Sequence, residues 1–227
     1  ARRHGVFPAA AEALARAFWP GALSLVLPRR AGTPVSLLVS AGLDSVALRV
    51  PAHPVARALL DEVGAIAAPS ANVSGHVSAT SAAHVAADLG ARVDVILDGG
   101  AAPLGLESTV IGFDDGFPVL LRPGAIARED IEQVAGRLRE PGGAIRSPGQ
   151  MESHYAPNAE LRLNAEAPMP GEALLGFGAV EATLNLSPRG DLGEAAANLF
   201  AMLRLLDGEV GCIAVSPIPM TGLGEAI

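Results

Sequence analysis

The chain has 227 residues, half of them hydrophobic and only 18% charged, which excludes extended disorder and suffices for one large domain plus a small one. Its net charge of −8 disfavours generic nucleic-acid binding, because neutralising a phosphate backbone needs clustered cations. Every basic side chain other than His is Arg, the lone Cys212 excludes an internal disulfide, and no apolar run is long enough to span a bilayer.

In chain order, Pro8 to Phe18 reads as a helix opened by Pro and closed by Trp19-Pro20-Gly21. Leu23 to Leu27, Val35 to Val39 and Val46 to Val50 read as short strands, and Pro54 to Glu62 as a helix with Val55, Leu59 and Leu60 on one face. Ala65 to Ala68 is expected to be a short buried strand. Ser81 to Leu89 is a helix with Thr80 or Ser81 as its N-cap and Gly90 as its stop. Val93 to Leu97 is expected to be a strand ending in Asp98-Gly99-Gly100. Ser108 to Phe113 and Pro118 to Leu121 form a hairpin across Asp114-Asp115-Gly116. Arg128 to Leu138 is an amphipathic helix whose Glu129 and Asp130 suit its positive N-terminal end.

The texture then changes. Residues 140–159 carry Pro141-Gly142-Gly143, Pro148-Gly149 and Pro157 with few apolar anchors, and read as a linker. Beyond it come strands at Ala173 to Phe177 and Ala182 to Leu186, a helix at Gly193 to Leu206 and a strand at Cys212 to Val215. That order predicts a separate small α/β domain. The division expected is therefore residues 1–139, a linker at 140–159, and residues 160–227.

Five segments carry candidate chemistry. Ala67-Ala68-Pro69-Ser70-Ala71-Asn72-Val73-Ser74-Gly75 combines small residues with hydroxyl and amide groups, which suits close backbone approach to a phosphate as well as an ordinary turn. Arg49, at a strand end, is either a solvated strand-edge charge or a carboxylate clamp. Arg122, fixed in direction by Pro123-Gly124, is either an edge charge or a phosphate ligand. Ser108, in Glu107-Ser108-Thr109, lacks a nucleophile elbow and reads as a binding residue. His154-Tyr155 sits in the linker, which can lie over a cleft as a lid. His53 reads as an N-cap. His76 and His84 lack the spacing of a helical metal pair, so no metal site is assigned. Cys212 reads as a buried, inert thiol.

Together, the Ala67–Gly75 run, Gly105-Leu106-Glu107-Ser108-Thr109-Val110, Leu121-Arg122-Pro123-Gly124 and Ser147-Pro148-Gly149 with His154-Tyr155-Ala156-Pro157 resemble the YrdC/Sua5 family, the L-threonylcarbamoyladenylate synthases. Phe18-Trp19-Pro20-Gly21 and Val50-Pro51-Ala52-His53-Pro54 fit as well, and the linker with its trailing unit resembles the longer Sua5 form. The resemblance implies an α/β fold: a twisted mixed-sheet YrdC-like domain, N-terminally incomplete here, plus a small C-terminal α/β Sua5 domain. It implies a cytoplasmic nucleotidyltransferase that combines L-threonine, bicarbonate and ATP, with Mg²⁺ held mainly by phosphates, into threonylcarbamoyl-AMP and pyrophosphate. The product would pass to downstream proteins of tRNA t6A modification, without direct tRNA binding and without a membrane. By the same resemblance Ser45, Ser70, Asn72, Ser78, Arg122 and Tyr155 contact ATP. Arg49, Ser108 and the backbone at Ala68 hold threonine, and His154 and Tyr155 form the lid. No covalent nucleophile is implied.

The sequence departs from the family in having no match to its N-terminal Thr-rich strand and Lys-x-Arg cluster, and in Glu152-Ser153, where a basic residue is frequent. Two rival readings stand beside it: a non-catalytic RNA-binding YrdC-like module, and a carbamoyl-adenylating domain of metallocentre assembly. The acidic charge argues against the first, the absence of zinc-finger cysteines against the second.

Overall fold

The computed structural model describes residues 1–140, 142 and 156–227. Most of the expected linker, including His154 and Tyr155, lies outside the described residues. The chain divides into two compact units, one of Ala1–Ala68 with the described part of Glu107–Gln150, the other of Pro69–Leu106 with the described part of Met151–Ile227.

The first unit is built on a four-stranded mixed sheet. Helix α1 (Ala9–Phe18) turns Ala11, Leu14 and Ala15 inward. Strand β1 (Leu23–Pro28) alternates strictly: Leu23, Leu25 and Leu27 are fully buried on one face, while Ser24 and Val26 point to the other. Strand β2 (Ser45–Leu48) runs antiparallel to it, with Leu25 opposite Leu48 and Pro28 opposite Ser45. Strand β3 (Thr109–Asp114) lies parallel on the other side, Leu23 opposite Thr109. Strand β4 (Phe117–Arg122) returns antiparallel through Asp115 and Gly116, both at positive φ. The sheet order is β2-β1-β3-β4. Helix α4 (Arg128–Ala135) packs with α1 on the Leu23/Leu25/Leu27 face, where Ile111, Leu120 and Ile131 complete the core. On the opposite face Val110, Val119 and Leu121 gather around Val26. Helix α2 (Pro54–Val63) carries Pro at its first turn after His53 and buries no residue.

The second unit contains an all-parallel sheet. Its strands are β5 (Glu160–Arg162), β6 (Glu172–Gly176), β7 (Leu184–Asn185) and β8 (Cys212–Val215), ordered β5-β8-β6-β7. Helix α5 (Leu192–Leu206) is capped by Asp191, whose carboxylate accepts the Glu194 N–H. Its Ala195, Leu199 and Leu203 share one cluster with Leu175, Ile213 and Val215 of the sheet. Ala165, Leu174 and Ala214 form the smaller cluster, against Ala182. Parallel strands covered on both faces read as continuous apolar runs, as Ala173-Leu174-Leu175 and Ile213-Ala214-Val215 do. Helix α3 (Ala82–Leu89), with Ser81 as its N-cap, belongs to this unit, and Val77 and Leu106 pack into the cluster under α5.

Several local expectations are corrected. Val35 to Val39 is not a strand: Ser36 accepts the Leu38 N–H and caps a 3-10 turn over Leu37–Ser40, while Arg29 grips the Val35 carbonyl and the Ser40 hydroxyl. Ala65 to Ala68 and Val93 to Leu97 form no strand, each opening on a bend, and the first of these is exposed rather than buried. Neither has a strand partner among the described residues, and a run without a ladder is not a strand. Helix α4 stops at Ala135, because Gly136 turns to positive φ. Strand β5 escaped sequence reading. Cys212 is partly rather than fully buried, and its Sγ lies 3.4 Å from Glu172 Oε1.

Candidate functional site

The sheet of the first unit concentrates polar chemistry at one end. Ser24 is the second residue of β1, Arg49 follows the last residue of β2, Ser108 precedes β3, and Arg122 ends β4. The strand registers put all four at the same end, across the whole width of the sheet. They also share a face, for a reason that no period-2 pattern shows. In a regular strand Arg122 would have the parity of Leu120, which faces the helices. The register slips between Val110 and Ile111, so that Val110 pairs with Arg122 and Ile111 with Leu120. Leu121 is the extra residue of that bulge, and the slip turns Arg122 onto the face of Ser24 and Ser108.

The hydrogen bonds agree. Arg122 Nε and Nη2 donate to the Ser108 carbonyl at 3.1 and 2.8 Å, and Nη2 also reaches Ser108 Oγ at 3.1 Å. Ser108 Oγ is 2.8 Å from Ser24 Oγ. Glu107 Oε2 lies 3.8 Å from Arg122 Nη2. Arg49 Nε donates to the Gly21 carbonyl at 3.0 Å, and the Gly21 N–H returns to Val50 O at 2.8 Å. The residue is exposed over much of its length, yet burial of its guanidinium lowers its pKa. Nearby Glu107 opposes that shift and nearby Arg122 adds to it. The cluster thus holds Arg49 and Arg122 around Glu107 and is net positive, which favours an anionic ligand.

Beneath the cluster the backbone is closely layered. The Ala125 N–H donates to Glu107 O at 2.9 Å, and Thr109 Oγ1 both donates to Ile126 O at 2.7 Å and accepts the Ile126 N–H at 2.9 Å. A Cβ on Gly124 would stand 2.5 Å from Glu107 O and 2.6 Å from the Ser108 carbonyl carbon. Glycine is what lets Arg122-Pro123-Gly124 lie directly against Glu107-Ser108-Thr109.

The other expected residues are distributed differently. Ser45 opens β2, four residues from Arg49 and hence about 13 Å along the strand at the usual rise. Ala68 lies in the exposed stretch after α2. Ser70, Asn72 and Ser78 belong to the second unit. Ser70 is exposed and Ser78 buried. Asn72 Nδ2 donates to Val73 O at 2.8 Å and His76 O at 2.9 Å, closing the turn, and its Oδ1 is buried with no hydrogen-bond partner among the described residues. The Ala156 N–H donates to Gly75 O at 3.0 Å, so the chain re-enters the described structure on this loop. His84 contacts Thr80 through Nδ1, and burial, with Arg204 nearby, lowers its pKa. Sequence reading missed Ser24 and gave Glu107 no role. The signal for Ser24 was a lone hydroxyl between the buried leucines of Leu23-Ser24-Leu25-Val26-Leu27.

Comparison with known proteins places the chain. A family model described as "Telomere recombination", of the Sua5, YciO and YrdC proteins, matches residues 1–124. One described as "Threonylcarbamoyl-AMP synthase, C-terminal domain" matches residues 126–227. The threonylcarbamoyl-AMP synthase of Bacillus subtilis is 40% identical over 98% of this chain and 72% of its own length. That of Pyrococcus abyssi is 38% identical, over 97% and 72%. The crystal structure of P. abyssi Sua5 complexed with L-threonine superposes with a TM-score of 0.87 at 38% identity, covering 98% of this chain and 73% of that one. A variant of the same Sua5, with a neighbouring His and Tyr replaced by Ala, gives 0.85 at 38% identity, over 97% and 71%. With both parts of the chain matched and the relatives covered this far, the chain belongs to the Sua5/YrdC family of threonylcarbamoyl-AMP synthases.

Proposed function

We propose that the protein makes L-threonylcarbamoyl-AMP from L-threonine, bicarbonate and MgATP, with the end of the mixed sheet as the amino-acid site. The observation that carries this reading is the Arg49–Glu107–Ser108–Arg122 cluster in a chain of this family. A guanidinium pairs with an amino-acid carboxylate in two parallel hydrogen bonds, which suits Arg49. Ser24 and Ser108 offer hydroxyls that donate or accept as the ligand requires. Arg122 brings positive charge to the same edge, for threonine or for the phosphates of ATP.

The chemistry asks for positioning more than for a nucleophile. A carbamate oxygen of N-carboxythreonine attacks the α-phosphorus of ATP, a new P–O bond forms, and the bond to the β-phosphate oxygen breaks to release pyrophosphate. Fixed guanidiniums and hydroxyls hold the two anions at reacting distance and offset the charge that develops on phosphate oxygens. Mg²⁺ arrives with the ATP phosphates as part of the substrate.

In this reading the Ser70–Ser78 loop meets the nucleotide. Asn72 has a constrained role there. Its amide nitrogen is committed to Val73 and His76, which leaves Oδ1, an acceptor. The lid assignment rests on sequence: His154-Tyr155 lies in the Pro/Gly-rich linker and holds the chain's single Tyr, directly after a His. Closure would shield the carbamate and the mixed anhydride from water. The product would go to the proteins of t6A modification in the cytoplasm; among the described residues no helix is long and apolar enough to cross a membrane.

The test is pyrophosphate release by the protein with MgATP and bicarbonate, with and without L-threonine. Release that needs both threonine and bicarbonate is the expected result. Threonine-independent release, or none from folded protein, would remove the reading.

A further inference from the structure

One side chain outside the cluster organises the Ser/Asn loop. Arg204, on the last turn of α5, lies far along the chain from the loop but beside it within the second unit. Its Nη2 donates to the Val77 carbonyl at 2.6 Å and its Nε to the Ser78 carbonyl at 3.1 Å. Nη1 and Nη2 also form a two-point pair with Asp88 of α3, at 3.1 and 2.5 Å. Both side chains are only 16% exposed. The Val73 backbone N–H points to the same Asp88 carboxylate. Asn72 closes the turn between these anchors, and Val77 itself is buried under α5. The loop is therefore fastened near its start through Asp88 and at its end by Arg204 directly.

The arrangement is more than a surface ion pair. A partly buried guanidinium that serves two backbone carbonyls and a carboxylate has one geometry, set by its planar fork. Helix α5 and Arg204 lie in the segment matched by the C-terminal domain model, whereas Val73, Val77, Ser78 and Asp88 lie in the segment matched by the first. The C-terminal domain thus supplies the fixing point of a loop that the first domain's sequence encodes.

We propose that Arg204 is a positioning residue for nucleotide binding, holding the Ser70–Ser78 loop in its binding shape through Val77, Ser78 and Asp88. This rests on the reading of that loop as the nucleotide loop. It assigns the C-terminal domain a direct part in ATP affinity.

The experiment compares Arg204→Lys, Asp88→Asn and Ser70→Ala in the intact protein by pyrophosphate release, with KM for ATP and for threonine measured separately. Hydrogen exchange is followed at the Val73–Ser78 amides. An ammonium keeps the charge and loses the fork, so Arg204→Lys should raise the ATP KM about tenfold, leave the threonine KM within about twofold, and speed exchange in the loop. Asp88→Asn should act in the same direction. A merely structural role would lower the active fraction, and hence the apparent kcat, while leaving both KM values in place. An ATP KM that rises in Ser70→Ala but not in Arg204→Lys would overturn the proposal and leave the loop reading intact. An ATP KM unmoved in all three variants would overturn both.

Discussion

Gly124→Ala tests how tightly the site is layered. The added Cβ would meet Glu107 O and Thr109 N at 2.5 Å and the Ser108 carbonyl carbon at 2.6 Å, whereas ordinary contact begins near 3.4 Å. All three neighbours are backbone, so no side chain can swing aside. One layer must move by about 0.9 Å, the difference between those two distances. That displacement stretches the Ala125–Glu107 hydrogen bond from 2.9 Å beyond its useful range and pulls Ser108 away from Arg122. Overpacking of this kind costs about 1–3 kcal/mol and the lost hydrogen bond about 1 kcal/mol. Destabilisation of roughly 2–4 kcal/mol should lower Tm by about 5–15 °C. The functional effect should be larger than the stability effect, because an error near 1 Å in a reacting arrangement costs on the order of 10²-fold in rate. The assay is threonine-dependent pyrophosphate release, measured well below the variant's own Tm, beside thermal unfolding of the same preparation. Wild-type activity with wild-type Tm would refute the layering argument. Lost stability with full activity would show that Ser108 and Glu107 do not need their observed positions.

Three further outcomes are expected. Glu172 is held at a pKa of about 2, below its ordinary 4.5, by the paired hydrogen bonds of Arg162 and then by the Met169 N–H. A depressed carboxylate pKa contributes stability above about pH 4.5 that disappears as pH falls toward 2, so the Tm gap between wild type and Glu172→Gln should close over that window; a gap constant with pH would sink the assignment. Ile131 is fully buried between α4, α1 and the sheet, and Ile131→Ala should cost about 2–5 kcal/mol in denaturant unfolding, with less than 1 kcal/mol counting against the described core. Gly105 sits at φ +63, and a Cβ there would lie 2.1 Å from Ala196 O of α5, so Gly105→Ala should destabilise the second unit by about 3–5 kcal/mol; a neutral result by thermal unfolding would contradict the packing of that segment on the helix.

Much of the protein is legible along the chain. Helices opened by Pro8 and His53-Pro54, the hairpin around Asp115-Gly116, and the apolar runs of β6 and β8 follow from local rules of capping, turns and periodicity. Motif order carried the family, and with it Arg49, Ser108 and Arg122 as residues to watch. Two of the misread segments share one cause. Val93 to Leu97 and Ala65 to Ala68 have strand composition, but a strand exists only where a neighbour completes its hydrogen bonds, and composition carries no information about neighbours. Tertiary structure alone decided which face Arg122 takes, because a single-residue slip against β3 reverses the parity that its strand would give it. It alone brought Ser24 to Ser108 across 84 positions, and Arg204 to Asp88 across 116. Local sequence sets what each segment can form. Long-range register and packing set which side chains meet, since those contacts depend on where distant backbones come to rest.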